Sequence, residues 1–307
     1  MISIITPAYN AQEYLPECID SIRGQSYADW QLVIVDDGST DGTAVIADRA
    51  AAADCRITVL HTSNRGVSAA RNAALDVAEG EYLVFVDADD ALASPDALQC
   101  LVDAEKAAGG DAIVIARHTY TPDASGLCHA DVRIKDAGAV VEDILYQKGI
   151  EPAPWAKLFP AASFAGVRYP EGLRYEDLYL TPCIIARYGL PVAFIDSELY
   201  YYRMHPGSFL HKWSDARLDA LTVTEALEKQ FPGNAARSRR LSANFNVYAL
   251  ARDNGKKAVA DGCWAYIRAN RAAALADPRV RFRNKAAALL TYFGRRAFDR
   301  LCRILYR

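Results

Sequence analysis

The stretch WQLVIVDDGSTDGT, residues 30–43, decides the fold. Its first part, Gln31–Val35, is an apolar run rich in β-branched residues, which predicts a strand buried on both faces of a sheet. The Asp-Asp-Gly at 36–38 then predicts a turn, and a helix is expected over about 41–53. A buried strand, a polar turn and a helix in that order are typical of an α/β unit.

The same order of elements extends through the first 120 residues. Strands are predicted over 2–5, 57–60, 82–86 and 112–116, with helices over 11–23, 67–78 and 96–108. Nearly continuous apolar strands separated by helices of about 11–15 residues indicate a parallel sheet with helices on both faces. We therefore predict a doubly wound α/β fold with a mostly parallel sheet.

The second half of the chain is less regular. Residues 122–139 have no clear period and predict an exposed excursion. A helix is predicted over 177–188, then strands over 192–195 and 199–203, then helices almost throughout 213–307. The pattern predicts two domains, an α/β domain over 1–210 and a C-terminal helical extension over 211–307.

Charge is unevenly distributed along an otherwise ordinary globular composition. Apolar residues make up 51% of the chain and charged residues 24%, and the formal net charge is −3. This balance gives the whole molecule no attraction to nucleic acid. Residues 279–307 carry a formal charge of +8 and the remainder −11, which suggests that the tail has a partner of its own.

The cysteines and the apolar runs bear on the compartment. The seven cysteines are scattered without a Cys-x-x-Cys pair, which predicts unpaired thiols in a reducing compartment. No basic-then-apolar leader precedes the first strand, and no uncharged apolar run reaches the roughly 18 residues of a membrane span. We therefore expect a cytoplasmic protein that does not cross a membrane.

Polar residues follow four consecutive predicted strands. In doubly wound sheets, ligands bind outside the carboxyl ends of the strands, so these residues predict a binding edge. They are Tyr9, Asn10, Asp36, Asp37, Asn64, Asp87 and Asp89.

Three kinds of nucleotide-binding site are excluded, because their glycine-rich motifs are missing. Residues 6–10 read TPAYN, so the G-x-G-x-x-G of dinucleotide-binding folds is missing, and no P-loop occurs in the chain. The Gly-rich first turn of sugar-nucleotide pyrophosphorylases is also missing. What remains is an edge of carboxylates, which binds a diphosphate only through a bridging divalent cation.

Seven segments resemble, in order, the motifs of glycosyltransferase family 2. They are SIITPAYN at 3–10, VDDGSTDGT at 35–43, NRGVSAARN at 64–72, FVDADD at 85–90, WAKLF at 155–159, YEDLYLT at 175–181 and YYYRMHPGS at 200–208. The resemblance covers about residues 1–210. It implies a GT-A fold, a nucleotide-sugar donor, and transfer with inversion at the anomeric carbon.

The resemblance assigns donor-binding roles to the first three loops. Pro7 and Tyr9 would flank the base and ribose, and Asp37 would hydrogen-bond the base, which favours uracil. Asn64 and Arg71 would hold the nucleotide from the third loop and the helix after it. Structural alternatives are a helix cap for Asp37, a core position for Tyr9 and an ion pair with a rim acid for Arg71.

The Asp-x-Asp would form the metal site. Alternation in an extended segment places Asp87 and Asp89 on the same side, while Asp90 points the other way. By resemblance, Asp87 meets the ribose, and Asp89 with Asp87 binds Mn²⁺ or Mg²⁺. His205 is a candidate third ligand, although a single histidine is a weak signal.

Glu176 and Asp177 would carry the proton transfer. The family places its general base in this pair, and we expect it to be Asp177, with Glu176 orienting the acceptor. The alternative is a carboxylate that only stabilises a helix N-terminus.

Three further residues would complete the donor site. Trp155 and Lys157 would line the sugar pocket, with a buried core position as the alternative. Arg203 would lie on a loop that closes over the diphosphate.

The C-terminal segment has an amphipathic pattern. One apolar stripe is predicted from Phe282, Ala286, Leu289, Leu290, Phe293, Ala297, Leu301, Ile304 and Leu305. Arginines occupy much of the rest, which is typical of a helix lying at an anionic membrane surface. The alternative is packing on the acidic body or on a second subunit in a homo-oligomer.

These features together predict a metal-dependent inverting glycosyltransferase. It would move a hexosyl or N-acetylhexosaminyl group from a UDP-sugar to a hydroxyl of a glycan or lipid-linked acceptor in cell-surface polysaccharide biosynthesis. It would be cytoplasmic and peripheral on the inner face of the membrane. The rival functions are a catalytically silent protein that binds sugar nucleotides or glycans, and a sugar-phosphate nucleotidylyltransferase.

Overall fold

The computed structural model describes residues 1–122, 128, 131–204 and 214–305. The chain forms two compact units. The first comprises Met1–Ala139, Ala153–Gly172 and Leu180–Ser208, and the second Val140–Pro152, Leu173–Tyr179 and Phe209–Arg307. Two short segments that precede residue 210 thus group with the C-terminal part. The domain limits 1–210 and 211–307 stay a prediction.

One mixed sheet organises the first unit. In the described residues its strands are β1 (Ile2–Ala8), β2 (Trp30–Asp36), β3 (Ile57–His61), β4 (Tyr82–Phe85), β5 (Ala91–Leu92), β6 (Ile113–Thr119), β7 (Val132–Lys135), β8 (Lys157–Pro160) and β9 (Val192–Tyr201). Their order is β3-β2-β1-β4-β8-β6-β9-β5, with β7 also paired to β9.

Most of these strands run in one direction. The strands β1–β4 pair in parallel, and β6 runs parallel to β9. The strand β8 lies antiparallel between β4 and β6, and β5 and β7 are antiparallel to β9. The prediction of a mostly parallel α/β sheet is confirmed. The carboxyl ends of β1, β2, β4, β6 and β9 therefore share one edge.

The core of the first unit lies on both faces of β1 and β2. Every residue of Ile2–Thr6 is buried, as is every residue of Leu32–Asp36. The helices α1 (Leu15–Arg23), α2 (Thr43–Ala53), α3 (Val67–Val77) and α4 (Ala97–Ala107) follow these strands and cover the sheet. Burial on both faces explains why the strands are continuous apolar runs rather than alternating ones.

The middle of the chain contains elements that the sequence pattern does not reveal. Residues 122–139 are predicted as an excursion, yet β7 forms within them and α5 (Ala137–Leu145) begins there. The two strands predicted over 192–203 are one continuous strand, β9. The helix α6 (Glu176–Tyr188) agrees with its prediction.

Helices build the second unit, as predicted. Its helices after residue 214 are α7 (Asp219–Gln230), α8 (Asn234–Asp253), α9 (Lys257–Ala276), α10 (Phe282–Leu290) and α11 (Arg295–Leu305). The rings of Tyr248, Trp264 and Phe298 pack together in its interior, with centroids 5.5–5.7 Å apart. The C-terminal helical extension is thereby confirmed.

The predicted single stripe at the C-terminus is wrong. The helix α10 ends at Leu290, a 3₁₀ turn covers Thr291–Phe293, and Gly294 adopts a φ of +89° before α11 begins. Ala287 and Phe298 are buried within this unit. By contrast, Phe282 is 85% exposed and Phe293 is 71% exposed, so the residues of the predicted stripe do not all face the interior of this unit.

Two findings bear on the predicted compartment. Cys100 and Cys128 form a disulfide with their Cα atoms 5.6 Å apart, so the prediction of unpaired thiols is wrong for these two residues. Among the described residues, none of the helices combines the length and the apolar character needed to span a bilayer.

Candidate functional site

Asp37 organises the loop that follows β3. Its Oδ1 accepts the backbone N–H of Arg65 at 2.9 Å, and its Oδ2 accepts that of Gly66 at 2.7 Å. The hydroxyl of Thr62 donates to Oδ1 at 3.2 Å. The loop therefore anchors the buried Asp37 carboxylate. A hydrogen bond from a nucleobase to the remaining lone pairs of this carboxylate stays a prediction.

The neighbouring glycine allows this loop to approach. Gly38 has a φ of +72°, and a Cβ at this position would lie 2.8 Å from the backbone nitrogen of Asn64. Only glycine accommodates both conditions. The side chain of Asn64 is exposed, Pro7 is partly exposed and Tyr9 is 51% exposed, so all three face solvent beside Asp37 as a ligand site requires.

Arg71 brings a buried cation to the Asp-x-Asp. Its Nη2 donates to Asp87 Oδ1 at 3.0 Å, and its guanidinium lies 5.3 Å from the centroid of the Tyr169 ring. This is the ion pair with a rim acid that the sequence offered as an alternative. The Asp87 side chain remains 27% exposed in this pair, whereas the Arg71 side chain is 5% exposed.

Burial alternates along residues 87–90 as predicted. Asp87 and Asp89 are partly exposed, whereas Ala88 and Asp90 are buried. Burial and the nearby charge of Asp87 raise the pKa of Asp90 to about 8. The carboxylates of Asp87 and Asp89 are thus accessible to solvent, while the buried Asp90 anchors the turn to the protein.

A tyrosine that sequence reasoning assigned only to the sheet fixes this turn. The Tyr200 hydroxyl donates to Asp90 Oδ2 at 2.6 Å and accepts the backbone N–H of Asp87 at 3.1 Å. The backbone N–H of Arg203 donates to Asp90 Oδ1 at 2.8 Å. The end of β9 therefore holds the Asp-x-Asp in place. No local pattern signals this contact, because the partners are more than 100 positions apart.

Arg203 lies beside the same turn. Its Nε donates to the carbonyl oxygen of Asp89 at 2.9 Å, and its Nη2 donates to Glu17 Oε2 at 2.6 Å. Its guanidinium lies over the Tyr14 and Tyr201 rings at 5.2 and 4.9 Å. The structure thus places the predicted diphosphate-binding arginine next to Asp89. The third predicted metal ligand, His205, lies outside the described residues.

Trp155 and Lys157 are placed inward. The Trp155 ring stacks on Tyr200 with centroids 5.1 Å apart. The Lys157 side chain is 1% exposed, and its Nζ donates to the carbonyl oxygen of Ala153 at 2.7 Å. Ala156 between them has a φ of +53°, which strains a residue with a Cβ. The structure therefore does not support a phosphate contact by Lys157, whose ammonium holds the strained turn together.

Glu176 and Asp177 begin α6 in the second unit. Glu176 is buried, Asp177 is partly buried, and Asp177 Oδ1 accepts the backbone N–H of Leu178 at 2.7 Å. Tyr175 before them has a φ of +62° and receives a hydrogen bond at its hydroxyl from Arg217 at 3.1 Å. A positive φ at a non-glycine residue such as Tyr175 is a form of backbone strain that often occurs at functional sites.

A partly buried arginine that the sequence pattern does not mark lies near Asp177. Burial lowers the pKa of the Arg239 guanidinium, and the negative charges of Asp177 and Glu151 oppose that shift. The helical pattern of residues 213–307 does not mark Arg239, since arginine is common on exposed helix faces.

The donor chemistry of the Asp-x-Asp fits a hard divalent cation. Carboxylate oxygens are the ligands that Mn²⁺ and Mg²⁺ prefer, and Asp87 with Asp89 supplies two of them on one side. In the described part of the chain, no cluster of three or more His, Cys, Asp or Glu side chains with metal-binding geometry occurs. Such a cation would therefore take its other ligands from a bound diphosphate and water.

Comparison with known proteins shows the family. The glycosyl transferase family 2 profile matches residues 3–168, and the chain belongs to this family. It is 30% identical to glycosyltransferase GlyG of Streptococcus pneumoniae over 226 residues, covering 68% of this chain and 73% of GlyG. It is 29% identical to glycosyltransferase GlyA of the same organism over 231 residues, 72% of this chain and 33% of GlyA.

One further relative is named for teichuronic acid biosynthesis, TuaG of Bacillus subtilis. It is 44% identical over 91 residues, 29% of this chain and 36% of TuaG. The chain thus spans about a third of the length of GlyA and of TuaG, and most of the length of GlyG.

Solved structures share the fold. TarS residues 1–349 of S. aureus, in complex with UDP-GlcNAc, superimposes with a TM-score of 0.65 at 21% identity, covering 97% of this chain and 88% of that chain. The mannosyltransferase PcManGT of Pyrobaculum calidifontis, in complex with GDP-Man and Mn²⁺, gives 0.57 at 20% identity, with 97% and 82% covered. The GT-A fold expected from the resemblance is confirmed.

Proposed function

We propose that this chain is a metal-dependent inverting glycosyltransferase that uses a UDP-sugar. The observation that carries the proposal is the turn at residues 87–90, where Asp87 and Asp89 present two carboxylates beside the cations of Arg71 and Arg203. A pair of carboxylates at the carboxyl edge of the sheet suits a cation-bridged diphosphate. The UDP-GlcNAc in TarS and the GDP-Man with Mn²⁺ in PcManGT support a nucleotide-sugar donor and a metal.

Each charged group at this edge has a role in the proposed transfer. Asp87 and Asp89 would hold a divalent cation, whose charge would stabilise the departing nucleoside diphosphate. Arg71 fixes Asp87, and Arg203 is positioned to contact the diphosphate once it exchanges its bond with Glu17. Asp37 anchors the loop beside the base, and uracil fits a carboxylate that accepts a ring N–H.

Asp177 serves as the general base in this proposal, and Glu176 orients the acceptor. A carboxylate that removes the proton of the attacking hydroxyl typically contributes about 10²–10⁴-fold to the rate. Attack from the face opposite the leaving group inverts the configuration without a covalent sugar–enzyme intermediate. The positive charge of Arg239 lies close enough to Asp177 for the two charges to interact.

We further propose an acceptor in cell-surface polysaccharide assembly, glycan or lipid-linked, that receives a hexosyl or N-acetylhexosaminyl group. The name of TuaG supports the polysaccharide. A surface formed by Phe282, Leu289, Tyr292 and Phe293 supports the lipid, because these apolar side chains are exposed beside the basic residues Arg283 and Arg296. Aromatic side chains with a cationic surround bind an anionic membrane surface. The protein would then be peripheral on the cytoplasmic face, with a second subunit as the rival occupant.

Donor hydrolysis tests the proposal. Wild-type protein is incubated with a panel of nucleotide sugars and Mn²⁺, and the released nucleoside diphosphate is measured. Release from a UDP-sugar that is lost in Asp89→Ala supports the function. Asp177→Asn should bind UDP as tightly as the wild type while release falls by about 10²-fold or more.

The rival functions predict different outcomes. A silent binding protein binds UDP with Mn²⁺ but releases no nucleoside diphosphate even when acceptor glycans are added. A nucleotidylyltransferase consumes a nucleoside triphosphate and releases pyrophosphate. Absence of UDP binding in the presence of Mn²⁺ would contradict the proposed function itself.

A further inference from the structure

Four aromatic rings meet at the carboxyl ends of β6 and β9. His118 lies in β6 and Tyr120 just after that strand, Tyr202 follows β9, and Trp155 lies two positions before the start of β8. The ring centroids of His118 and Tyr120 are 5.1 Å apart with planes at 87°, and those of Tyr120 and Tyr202 are 6.0 Å apart at 88°. The three rings of His118, Tyr120 and Tyr202 thus meet nearly at right angles, and we call them the aromatic corner.

Trp155 packs against two rings of the aromatic corner, His118 and Tyr202. Its ring centroid lies 4.7 Å from that of His118 and 5.6 Å from that of Tyr202, and its opposite neighbour is the stacked ring of Tyr200. The side chain of Trp155 is buried, so it cannot itself offer a full face to a ligand. Any ring that stacks here must use the corner rather than Trp155.

The corner is exposed and held in place. Tyr120 is 59% exposed, and His118 and Tyr202 are partly exposed. The Tyr120 hydroxyl lies 3.1 Å from His118 Nε2, and the backbone N–H of Tyr202 donates to the carbonyl oxygen of Thr119 at 2.9 Å. Rings fixed in advance lose little entropy on binding a ligand.

The corner adjoins the Asp-x-Asp turn. Tyr202 directly precedes Arg203, whose backbone N–H donates to Asp90 and whose Nε donates to the carbonyl oxygen of Asp89. In the sheet order, β6 and β9 lie on one side of β4, whereas β2, which carries Asp37, lies on the other. A ligand on the corner would therefore lie beside the reacting end of a donor rather than beside its base.

We propose that the aromatic corner is a carbohydrate subsite that binds one pyranose ring of the acceptor glycan. A pyranose presents an apolar C–H face that packs on an aromatic ring, and hydroxyls at its rim that hydrogen-bond groups such as Tyr120 Oη. With nearly perpendicular rings, one ring can stack on the face of the pyranose while another contacts its edge. This inference rests on the proposed transferase function, which supplies the reason for a glycan at this edge.

Saturation-transfer NMR on the full chain tests the subsite. The probes are the methyl pyranosides of glucose, galactose, mannose, N-acetylglucosamine and N-acetylgalactosamine. At least one should bind, with transfer strongest at the ring protons of one face. Tyr120→Ala should weaken that binding about tenfold, which corresponds to about 1.4 kcal/mol. Tyr120→Phe should retain most of it, because the ring remains.

Ile134→Ala is the matched control, since Ile134 is a similarly exposed apolar residue that pairs with Ala193 at the opposite end of β9. It should bind as the wild type does. Binding of no probe, or equal binding by wild type and Tyr120→Ala, overturns the subsite.

Titration of UDP with Mn²⁺ in the same samples separates the two proposals. If UDP binds and no pyranoside does, the subsite is wrong and the proposed function stands. If pyranosides bind at Tyr120 and UDP does not, the corner is a glycan site and the transferase proposal fails.

Discussion

The guanidinium of Arg71 lies 3.0 Å from Asp87 Oδ1, although Arg71 itself is almost completely buried in α3. This cation pairs with Asp87, which shares one short turn with Asp89 and Asp90. Without the Arg71 guanidinium, less positive charge would offset the repulsion between the carboxylates of Asp87 and Asp89. The pair therefore allows the Asp-x-Asp to form before any ligand arrives, which is how a rigid site avoids ordering costs on binding.

Arg71→Met should destabilise the fold and weaken the donor site. The loss of a charged hydrogen bond costs about 1.5–3 kcal/mol in the free energy of unfolding. UDP binding with Mn²⁺ should weaken as well, because Asp87 loses its orientation. Urea unfolding followed by circular dichroism, together with calorimetric titration, measures both effects. Arg168→Met is the control, since Arg168 forms an exposed ion pair with Asp76 and should change stability by less than about 1 kcal/mol.

Gly38→Ala should damage the loop that Asp37 anchors. The φ of +72° costs a residue with a Cβ about 1–2 kcal/mol, and the contact at 2.8 Å with the Asn64 backbone adds about 1–3 kcal/mol of strain. Gly149→Ala is matched in backbone angle, with a φ of +76°, but has nothing within 4 Å of the added Cβ. The first variant should therefore lose more stability than the second. Equal losses by thermal unfolding would contradict the close approach.

The His61 side chain makes stability depend on pH. Its Nδ1 lies 3.1 Å from Asp36 Oδ2 and its Nε2 lies 3.0 Å from Asp48 Oδ1. The hydrogen bond to Asp36 raises the pKa of His61 from its ordinary 6.5. Burial alone would raise the pKa of Asp36, but hydrogen bonds from Ser39 and His61 lower it below 3.8.

These directions fix the sign of the pH effect. The His61 contribution is fully present below pH 6.5 and is lost as the pH rises through the higher folded-state pKa. The Asp36 contribution is present above pH 3.8 and is lost as the pH falls through its lower folded-state pKa. The stability advantage of wild type over His61→Gln should therefore be largest between these values and decrease toward pH 9. Urea unfolding across that range measures it, and an advantage that grows with pH would refute the assignment.

The exposed apolar surface at the C-terminus should govern vesicle binding. Phe282→Ser combined with Phe293→Ser removes two aromatic side chains from this surface while leaving its arginines in place. Binding to vesicles containing anionic phosphatidylglycerol should fall about 100-fold or more in co-sedimentation, because each buried apolar side chain contributes about 1.5–3 kcal/mol and about 1.4 kcal/mol is a tenfold change. Ile134→Ser, an exposed apolar site in the first unit, is the control. Unchanged sedimentation together with a change in oligomeric state would favour a second subunit instead.

The order of elements and the location of the binding edge follow from local sequence. The runs Ile2–Ile5 and Gln31–Val35 are buried strands because every residue in them is compatible with burial, and the periodic spacing in α1 and α3 marks amphipathic helices. Polar turns after each strand place Asp37, Asp87 and Asp89 at one edge. These features depend on neighbours in the chain, so a single sequence reveals them.

Elements with weak local signals were missed. The strands β7 and β8 are only four residues each, and α5 begins within a stretch rich in Gly and Asp. The C-terminal stripe was misassigned because its register holds only for an unbroken helix. The 3₁₀ turn and Gly294 interrupt that register, and packing against α8 and α9 then selects which residues are buried.

What only the tertiary structure decided is which polar groups are engaged by the protein and which remain available. Sequence alone placed Lys157 and Asp89 in the same site, yet the ammonium of Lys157 is buried on a backbone carbonyl, whereas Asp89 is partly exposed. Asp90 is anchored by Tyr200, 110 positions away in the chain. Hydrogen-bond partners at such separations are set by how strands pack side by side. Burial then determines how strongly each charged group interacts with its neighbours. The sequence alone therefore determined the chemistry present at the edge, and the packing of distant segments decided which groups of that chemistry are available to a ligand.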